Sequence, residues 1–332
     1  MKETKKENTS LQLLQMSEIQ EQAVQWLWFP YIPFGKITII QGNPGDGKTT
    51  LALYLTAACS AGRLPEFLEP FPVIYQTAED GLADTIKPRL RKSKAEMSNI
   101  YCIDESERSL TLLDHRLEEA IEKTGSRLLI LDPVQGYLAS GTDMNRANDI
   151  RQHMKALSAV AERTGCAVIL VGHLNKAAGI SSSYRGLGSI DFRAAARSVL
   201  LVGRLRDQPE IRAVVHDKSS LAQEGCSRAF KIDERDGFRW LEGYGDITAD
   251  ALLNGGSTDS KVALAETLIR ELLSDGKSVP ATEVLKAATS RGISKRTLDQ
   301  AKRNLGNVVS RRNNHAWEWY IKDENIYPPD TA

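Results

Sequence analysis

The eight residues Gly42-Asn-Pro-Gly-Asp-Gly-Lys-Thr49 constrain this chain more than any other feature. They satisfy G-x-x-x-x-G-K-[ST] at every fixed position, with an apolar run, Ile37–Gln41, before them and a helical pattern, Leu51–Ser60, after them. A glycine-rich bend in that context lets backbone amides curl around an anion, where a Cβ would crowd the phosphate oxygens. The helix adds its own unpaired N–H groups and the positive end of its dipole. The bend is therefore expected to bind ATP through Gly42, Asn43, Pro44, Gly45, Asp46, Gly47, Lys48, Thr49 and Thr50. Lys48 reaches the β- and γ-phosphates in this reading, and Thr49 places its hydroxyl on Mg2+.

Such a bend needs a sheet around it, and the sequence supplies further apolar runs. They are Val73–Thr77, Leu128–Asp132, Val168–Gly172, Val199–Gly203 and Ile211–His216, mostly without polar alternation, as strands buried on both faces require. Helical patterns over Thr111–Lys123 and Asp149–Thr164 fall between them. This alternation predicts an α/β domain with a largely parallel sheet. Residues 1–24 read as a polar, partly helical extension, 25–248 as the α/β domain, 249–260 as a linker that includes the turn-rich Leu253–Ser260, and 323–332 as a tail. Between linker and tail, residues 261–322 lose the strand–helix alternation.

Three strand ends carry polar groups suited to the phosphate site. Asp132 closes a run of four apolar residues, and an acid at the carboxyl edge of a parallel strand faces the ligand crevice, where it can hold Mg2+ through a water. Pro133 after it is equally at home in a plain turn. Glu79 and Asp80 follow the strand Val73–Thr77; hydrolysis needs a carboxylate to orient and deprotonate water. Glu79 is taken as that base with Asp80 in reserve, Asp80 also being placed to cap a helix through Thr85 and Arg89. His173 ends the run beginning at Val168 and is either a structural histidine or a sensor of the γ-phosphate.

Composition narrows the class. Forty-three Lys/Arg balance forty-three Asp/Glu, so no global field draws the chain to nucleic acid or membrane. The start, MKETKKENTS, has no apolar signal core, and no run approaches a membrane span of roughly 20 residues. Cys59, Cys102, Cys166 and Cys226 have no metal-ligand spacing and read as small buried residues of a reduced, cytoplasmic protein.

Taken together, GNPGDGKTT, QTAED, LLILDP, VGHLNK, YRGLGSIDFRAAARSVLLV and HDKSS, in that order over about residues 25–245, resemble the RecA-like ATPases of the RepA type. These are ring-forming, helicase-like ATPases of plasmids, phages and integrated elements. The resemblance implies a homohexameric ring with ATP sites between subunits and a channel for single-stranded DNA. It implies Glu79 as base, and His173 as the sensor linking γ-phosphate to nucleic-acid loops. It also places the trans-acting arginine at Arg197 and a second basic group at Lys218, with Arg193 and Arg204 as competitors. Lys218-Ser-Ser departs from the usual pattern, in which Asn or Arg stands two places after the lysine. The polar, Gly/Ser-rich stretch Leu174–Ser189 corresponds to a channel loop, with Lys176, Tyr184 and Arg185 as DNA contacts.

Residues 261–322 hold twelve Lys/Arg against six Asp/Glu. A helix over Ala263–Ser274, another opened by Pro280, a Gly292 turn and a basic helix capped by Ser294 make a helix-turn-helix pattern. Val308–Arg312 and Trp317–Ile321 supply two strands of a wing, with Asn313, Asn314 and His315 at its tip. This pattern looks like the winged-helix domain that follows RepA-type ATPases. It would offer Ser294, Lys295, Arg296, Thr297 and Gln300 to duplex bases and Arg303, Arg311 and Arg312 to phosphates. Winged helices also serve protein–protein contacts. Three functions remain open on these residues: a ring motor or helicase in DNA replication, an ATP-controlled DNA-binding regulator, and a filament-forming repair ATPase.

Overall fold

The apolar runs align side by side in a nine-stranded sheet. The computed structural model describes residues 13–65, 68–139, 147–174, 190–233, 237–254, 259–274, 278–291, 293–313 and 316–322. A short hairpin, β1 (Trp26–Trp28) and β2 (Ile32–Pro33), precedes β3 (Ile37–Gly42), and α1 (Lys48–Ser60) leaves the phosphate bend. Then come β4 (Val73–Thr77), a π-turn Leu82–Ile86 running into α2 (Lys87–Lys92), β5 (Ile100–Tyr101), α3 (Arg116–Thr124), β6 (Leu128–Asp132), α4 (Ala147–Thr164) and β7 (Ala167–His173). The domain continues through α5 (Ile190–Ala195), β8 (Ser198–Arg204), β9 (Ile211–Ser219), β10 (Arg228–Asp233), β11 (Gly237–Leu241) and α6 (Ala249–Asn254).

Strand order is β11-β10-β9-β8-β3-β7-β6-β4-β5. From β8 to β5 every pairing is parallel, and β9, β10 and β11 add an antiparallel extension. Period-two geometry sends alternate side chains to opposite faces. On β6, Leu128 and Ile130 join the core under α1, while Leu129 and Leu131 join the core under α3 and α4. The same split divides Ile169 from Leu170 on β7. Helix α4 meets the sheet through Ile150, Met154, Leu157 and Ala161, a single helical stripe.

Several boundaries differ from the sequence reading. The stretch predicted as helix from Thr111 becomes helical only at Arg116. Leu110 and Leu112 are buried, Leu112 N–H is tied to the Tyr137 carbonyl, and Asp114 accepts from the Arg116 amide. The Arg116 guanidinium holds the Asp114 carboxyl down to about 2. In the N-terminal extension, the described part holds one 3-10 turn, Met16–Glu18, and not a helix. The first half of the expected linker is α6, whose Leu252 and Leu253 pack on Leu201 and Val215. Of the four cysteines, Cys59 and Cys166 are buried but Cys102 and Cys226 are exposed. Among the described residues no helix is long and apolar enough to cross a membrane.

The C-terminal residues form α7 (Asp259–Leu273), β12 (Val279–Pro280), α8 (Ala281–Ser290), α9 (Lys295–Leu305), β13 (Val308–Asn313) and β14 (Ala316–Ile321). The strands make a separate antiparallel sheet, β12-β14-β13. Its core joins Leu268, Ile269 and Leu273 of α7 to Val284, Leu298 and Trp319. Ser294 caps α9 by accepting from the Thr297 amide at 3.2 Å. The short strand β12 was not legible, because its two residues sit between helical patterns.

Candidate functional site

Parallel register sets the site. Gly42 lies opposite His173, and Thr77 opposite Asp132, so the ends of β3, β7, β6 and β4 open at one edge of the sheet. That edge is where open α/β sheets bind ligands. The phosphate bend rises from it with Gly45 at φ +80° and Gly47 at φ +97°, conformations that favour glycine. Within the bend Asp46 Oδ2 accepts from the Asn43 amide at 2.8 Å. The first amides of α1 have no intrahelical acceptors and remain as anion donors.

Lys48 is buried, and its amine donates to the Asn43 carbonyl at 2.8 Å, which holds it over the bend. Burial lowers its pKa, while Asp46, Asp132 and Glu79 oppose the shift. Asp132 is buried at 6% exposure, and burial raises its pKa against the pull of hydrogen bonds from Tyr75 and Thr49 and of the Lys48 charge. Tyr75 Oη donates to Asp132 Oδ2 at 2.7 Å, fixing the carboxylate from behind. Thr49 and Asp132 thus bring a hydroxyl and a carboxylate together beside Lys48. Oxygen donors of this hardness, completed by phosphate oxygens and water, fit Mg2+.

Glu79 sits on the loop beyond β4, and its side chain is exposed. Ala78 N–H donates to the Asp132 carbonyl, which ties this loop to the end of β6. Gly136 lets the two approach: a methyl there would stand 2.3 Å from Ala78 Cβ. Asp80 meets Arg89 as expected, accepting from its Nη1 at 3.2 Å. The expected cap through Thr85 is absent, since the Thr85 hydroxyl bonds Asp84. Glu79 is therefore the acid of the pair that carries no ion pair among the described residues, and its charge is felt at Lys48 and His173.

His173 lies between these groups. Burial and then the Lys48 charge lower its pKa against the pull of Glu79 and Asp132, which favours the neutral ring. Its Nδ1 is buried with no hydrogen-bond partner among the described residues. A neutral imidazole at this position can donate its N–H to a bound oxyanion.

The other basic residues fall elsewhere. The Arg197 amide bonds the Ile37 carbonyl at the start of β3, so Arg197 stands at the opposite edge of the sheet with its side chain exposed. Lys218, opposite Val199, donates to the carbonyls of Arg193 at 2.6 Å and Ala196 at 2.8 Å at the end of α5. Arg193 pairs with Asp217. Arg204, a competitor for the trans-acting role, instead reaches its own phosphate bend, donating to the Gly45 carbonyl at 2.8 and 3.1 Å. Sequence reasoning missed Tyr75, Gly136 and Arg212, which sit inside ordinary strand or turn patterns.

Lys176, Tyr184 and Arg185 lie outside the described residues, as do Asn314 and His315; for Arg296 and Gln300 only the backbone is described. Lys295, Arg303 and Arg312 are exposed. Ser294 and Thr297 bond one another in the α9 cap, and Arg311 is tied to Ser278 and Glu318.

A DNA repair protein RadA of Halalkalibacterium halodurans is 26% identical over 149 residues, 44% of this chain and 30% of that protein. A RadA of Mycobacterium tuberculosis is 29% identical over 149 residues, 43% of this chain and 28% of that protein. The match therefore spans less than a third of either relative's length. A family model described as an AAA domain matches residues 6–179, just over half of the chain. That span contains Lys48, Glu79, Asp132 and His173 and ends before Arg197 and Lys218. The chain belongs to this AAA domain family, and its core is that of a RecA-like P-loop ATPase.

Proposed function

We propose that the chain hydrolyses Mg-ATP as a ring-forming motor on DNA, a RepA-like helicase in the replication of a mobile element or phage. The observation that carries this reading is the convergence of Lys48, Thr49, Asp132, Glu79 and His173 on one bend at the carboxyl edge of the sheet. Lys48 and the bend amides bind the triphosphate. Thr49 and Asp132 hold Mg2+, which neutralises charge on the phosphates. Glu79 orients the attacking water and takes its proton. His173 meets the γ-phosphate as sensor.

Arg197 and Lys218 act on a neighbour's nucleotide in a hexamer. Their position at the far edge of the sheet supports this, because a group there serves its own phosphate bend poorly. Lys218, seated on the carbonyls that end α5, stiffens the segment that presents Arg197. Single-stranded DNA contacts Lys176 and Arg185. The RadA proteins are DNA repair proteins, which supports DNA as the partner.

The C-terminal order helix, strand, helix, helix, strand, strand supports a winged helix in residues 261–322. Lys295, Arg296 and Arg303 of α9 then contact duplex DNA. That basic module favours a second reading, an ATP-controlled regulator or recruitment factor without strand separation. Measuring ATP turnover with and without single-stranded DNA, alongside strand displacement, tests the first. Stimulation and unwinding are expected; no stimulation and no DNA binding reject it. Duplex binding through this module without unwinding selects the regulator.

A further inference from the structure

We infer that Arg212 contacts the polyphosphate of the nucleotide bound in its own subunit, and that Arg204 positions the phosphate bend for it. This rests on the ATP-site reading above and extends it to two residues of the antiparallel part of the sheet. The register puts Arg204 directly opposite Arg212, Arg212 opposite Phe230, and Phe230 opposite Trp240. Directly opposed residues share a face. Val202, Val214 and Phe230 place that face in the core under α1, so the row runs beside the bend from which α1 starts.

The contact with the bend is close. A methyl on Gly47 would stand 3.0 Å from Arg212 Cδ, 3.2 Å from its Nε and 3.3 Å from Phe230 Cζ. Arg204 grips the Gly45 carbonyl through both Nε and Nη2. Two arginines thus lie directly opposite one another on adjacent strands against one turn, a like-charge arrangement that destabilises a sheet. Neither forms an ion pair among the described residues. Arg212 Nη1 donates to the Glu210 carbonyl, but its Nε is buried with no hydrogen-bond partner among the described residues. Leaving a buried charged donor unmet costs more than an average hydrogen bond. Asp46 is the carboxylate felt at Arg212, and it is already engaged with the Asn43 amide.

A nucleoside di- or triphosphate offsets the like charge of the pair. Its negative charge compensates the arginine pair, and its oxygens are acceptors for planar, forked donors. AMP or adenosine would supply too little charge at the bend to do so. Lysine in place of Arg212 would keep the charge but lose the fork.

The test is a titration of the full chain with fluorescent Mg-ATP and Mg-ADP at low and high salt, for wild type, Arg212→Gln, Arg212→Lys and Arg204→Gln, with thermal unfolding of each protein without nucleotide. Arg212→Gln is expected to weaken both nucleotides about tenfold and to flatten the salt dependence of binding. Arg212→Lys should weaken binding by several-fold while keeping that dependence. Arg204→Gln should weaken binding less, with the salt dependence retained. Arg212→Gln binding both nucleotides as tightly as wild type, with unchanged salt dependence, overturns the inference alone. Should that variant unfold, Arg212→Lys at wild-type affinity overturns it instead. A wild-type chain that binds no Mg-ATP overturns the ATP-site reading and this extension together.

Discussion

The two edges of the large sheet are built from the same strands but carry different chemistry. At the carboxyl edge, Lys48, Asp132 and His173 are wholly or partly buried, their pKa values shifted by burial and by one another. At the amino edge, Arg197 is exposed and Lys218 donates to backbone carbonyls of its own chain. Arg204 lies seven positions along the chain from Arg197, at the far end of β8, roughly 20 Å of extended strand. One edge is assembled within the chain, so its variants should fail alone. The other presents a group outward, so its variants should fail only where subunits meet.

The largest effect tests the assembled edge. Lys48→Ala removes the buried cation over the bend and should abolish both Mg-ATP binding and turnover; calorimetric titration at wild-type affinity would break the comparison at its first term. Next, Glu79→Gln should retain binding within a few-fold while slowing hydrolysis by about 10³-fold. Full hydrolysis in that variant would move the base to Asp80, despite the bond of Asp80 to Arg89.

Arg197→Ala sharpens the contrast. It should leave nucleotide affinity of the isolated subunit unchanged and lower hydrolysis by about a thousandfold in the assembly. Mixing it with Glu79→Gln subunits should recover part of the rate at interfaces where an intact Arg197 meets an intact Glu79. No recovery would make Arg197 a group of its own subunit.

The smallest effect concerns stability at the amino edge. His216 is buried there, its Nδ1 accepting from the Gly225 amide and its Nε2 3.0 Å from Ser198 Oγ, which in turn donates to the Tyr31 carbonyl of the hairpin. Burial lowers its pKa below the usual 6.5, against the pull of Glu224 and Asp217. The unfolded chain then takes up this proton at higher pH than the folded one. Stability is therefore retained above about 6.5 and lost as pH falls through that value. His216→Gln should flatten this part of the pH dependence in urea unfolding; an unchanged slope would remove His216 from the account.

Much of the carboxyl edge was legible because its signals are local. A phosphate bend is eight consecutive residues, and buried parallel strands such as Val73–Thr77 and Leu128–Asp132 open on apolar runs and close on polar residues, bounds that the sequence marks to the residue. What stayed hidden depends on pairing. Arg204 and Arg212 meet the bend only through the register of β8 with β9, and Tyr75 reaches Asp132 only because β4 lies beside β6. The β1–β2 hairpin was lost in an aromatic-rich stretch without the glycine turn that announces most hairpins. Helix α3 began late because Asp114, not a hydrophobic periodicity, decides where it starts.

The central claim is that one triphosphate is held between Lys48 and Asp132 with Glu79 at its far end. The direct measurement is an experimental structure of the full chain with Mg2+ and a non-hydrolysable ATP analogue. The account predicts the β- and γ-phosphates against Lys48, the metal beside Thr49 and Asp132, and the Glu79 carboxylate facing the γ-phosphate across a water. A nucleotide seated away from the Gly42–Thr49 bend, or one whose γ-phosphate is out of reach of Glu79, would contradict it.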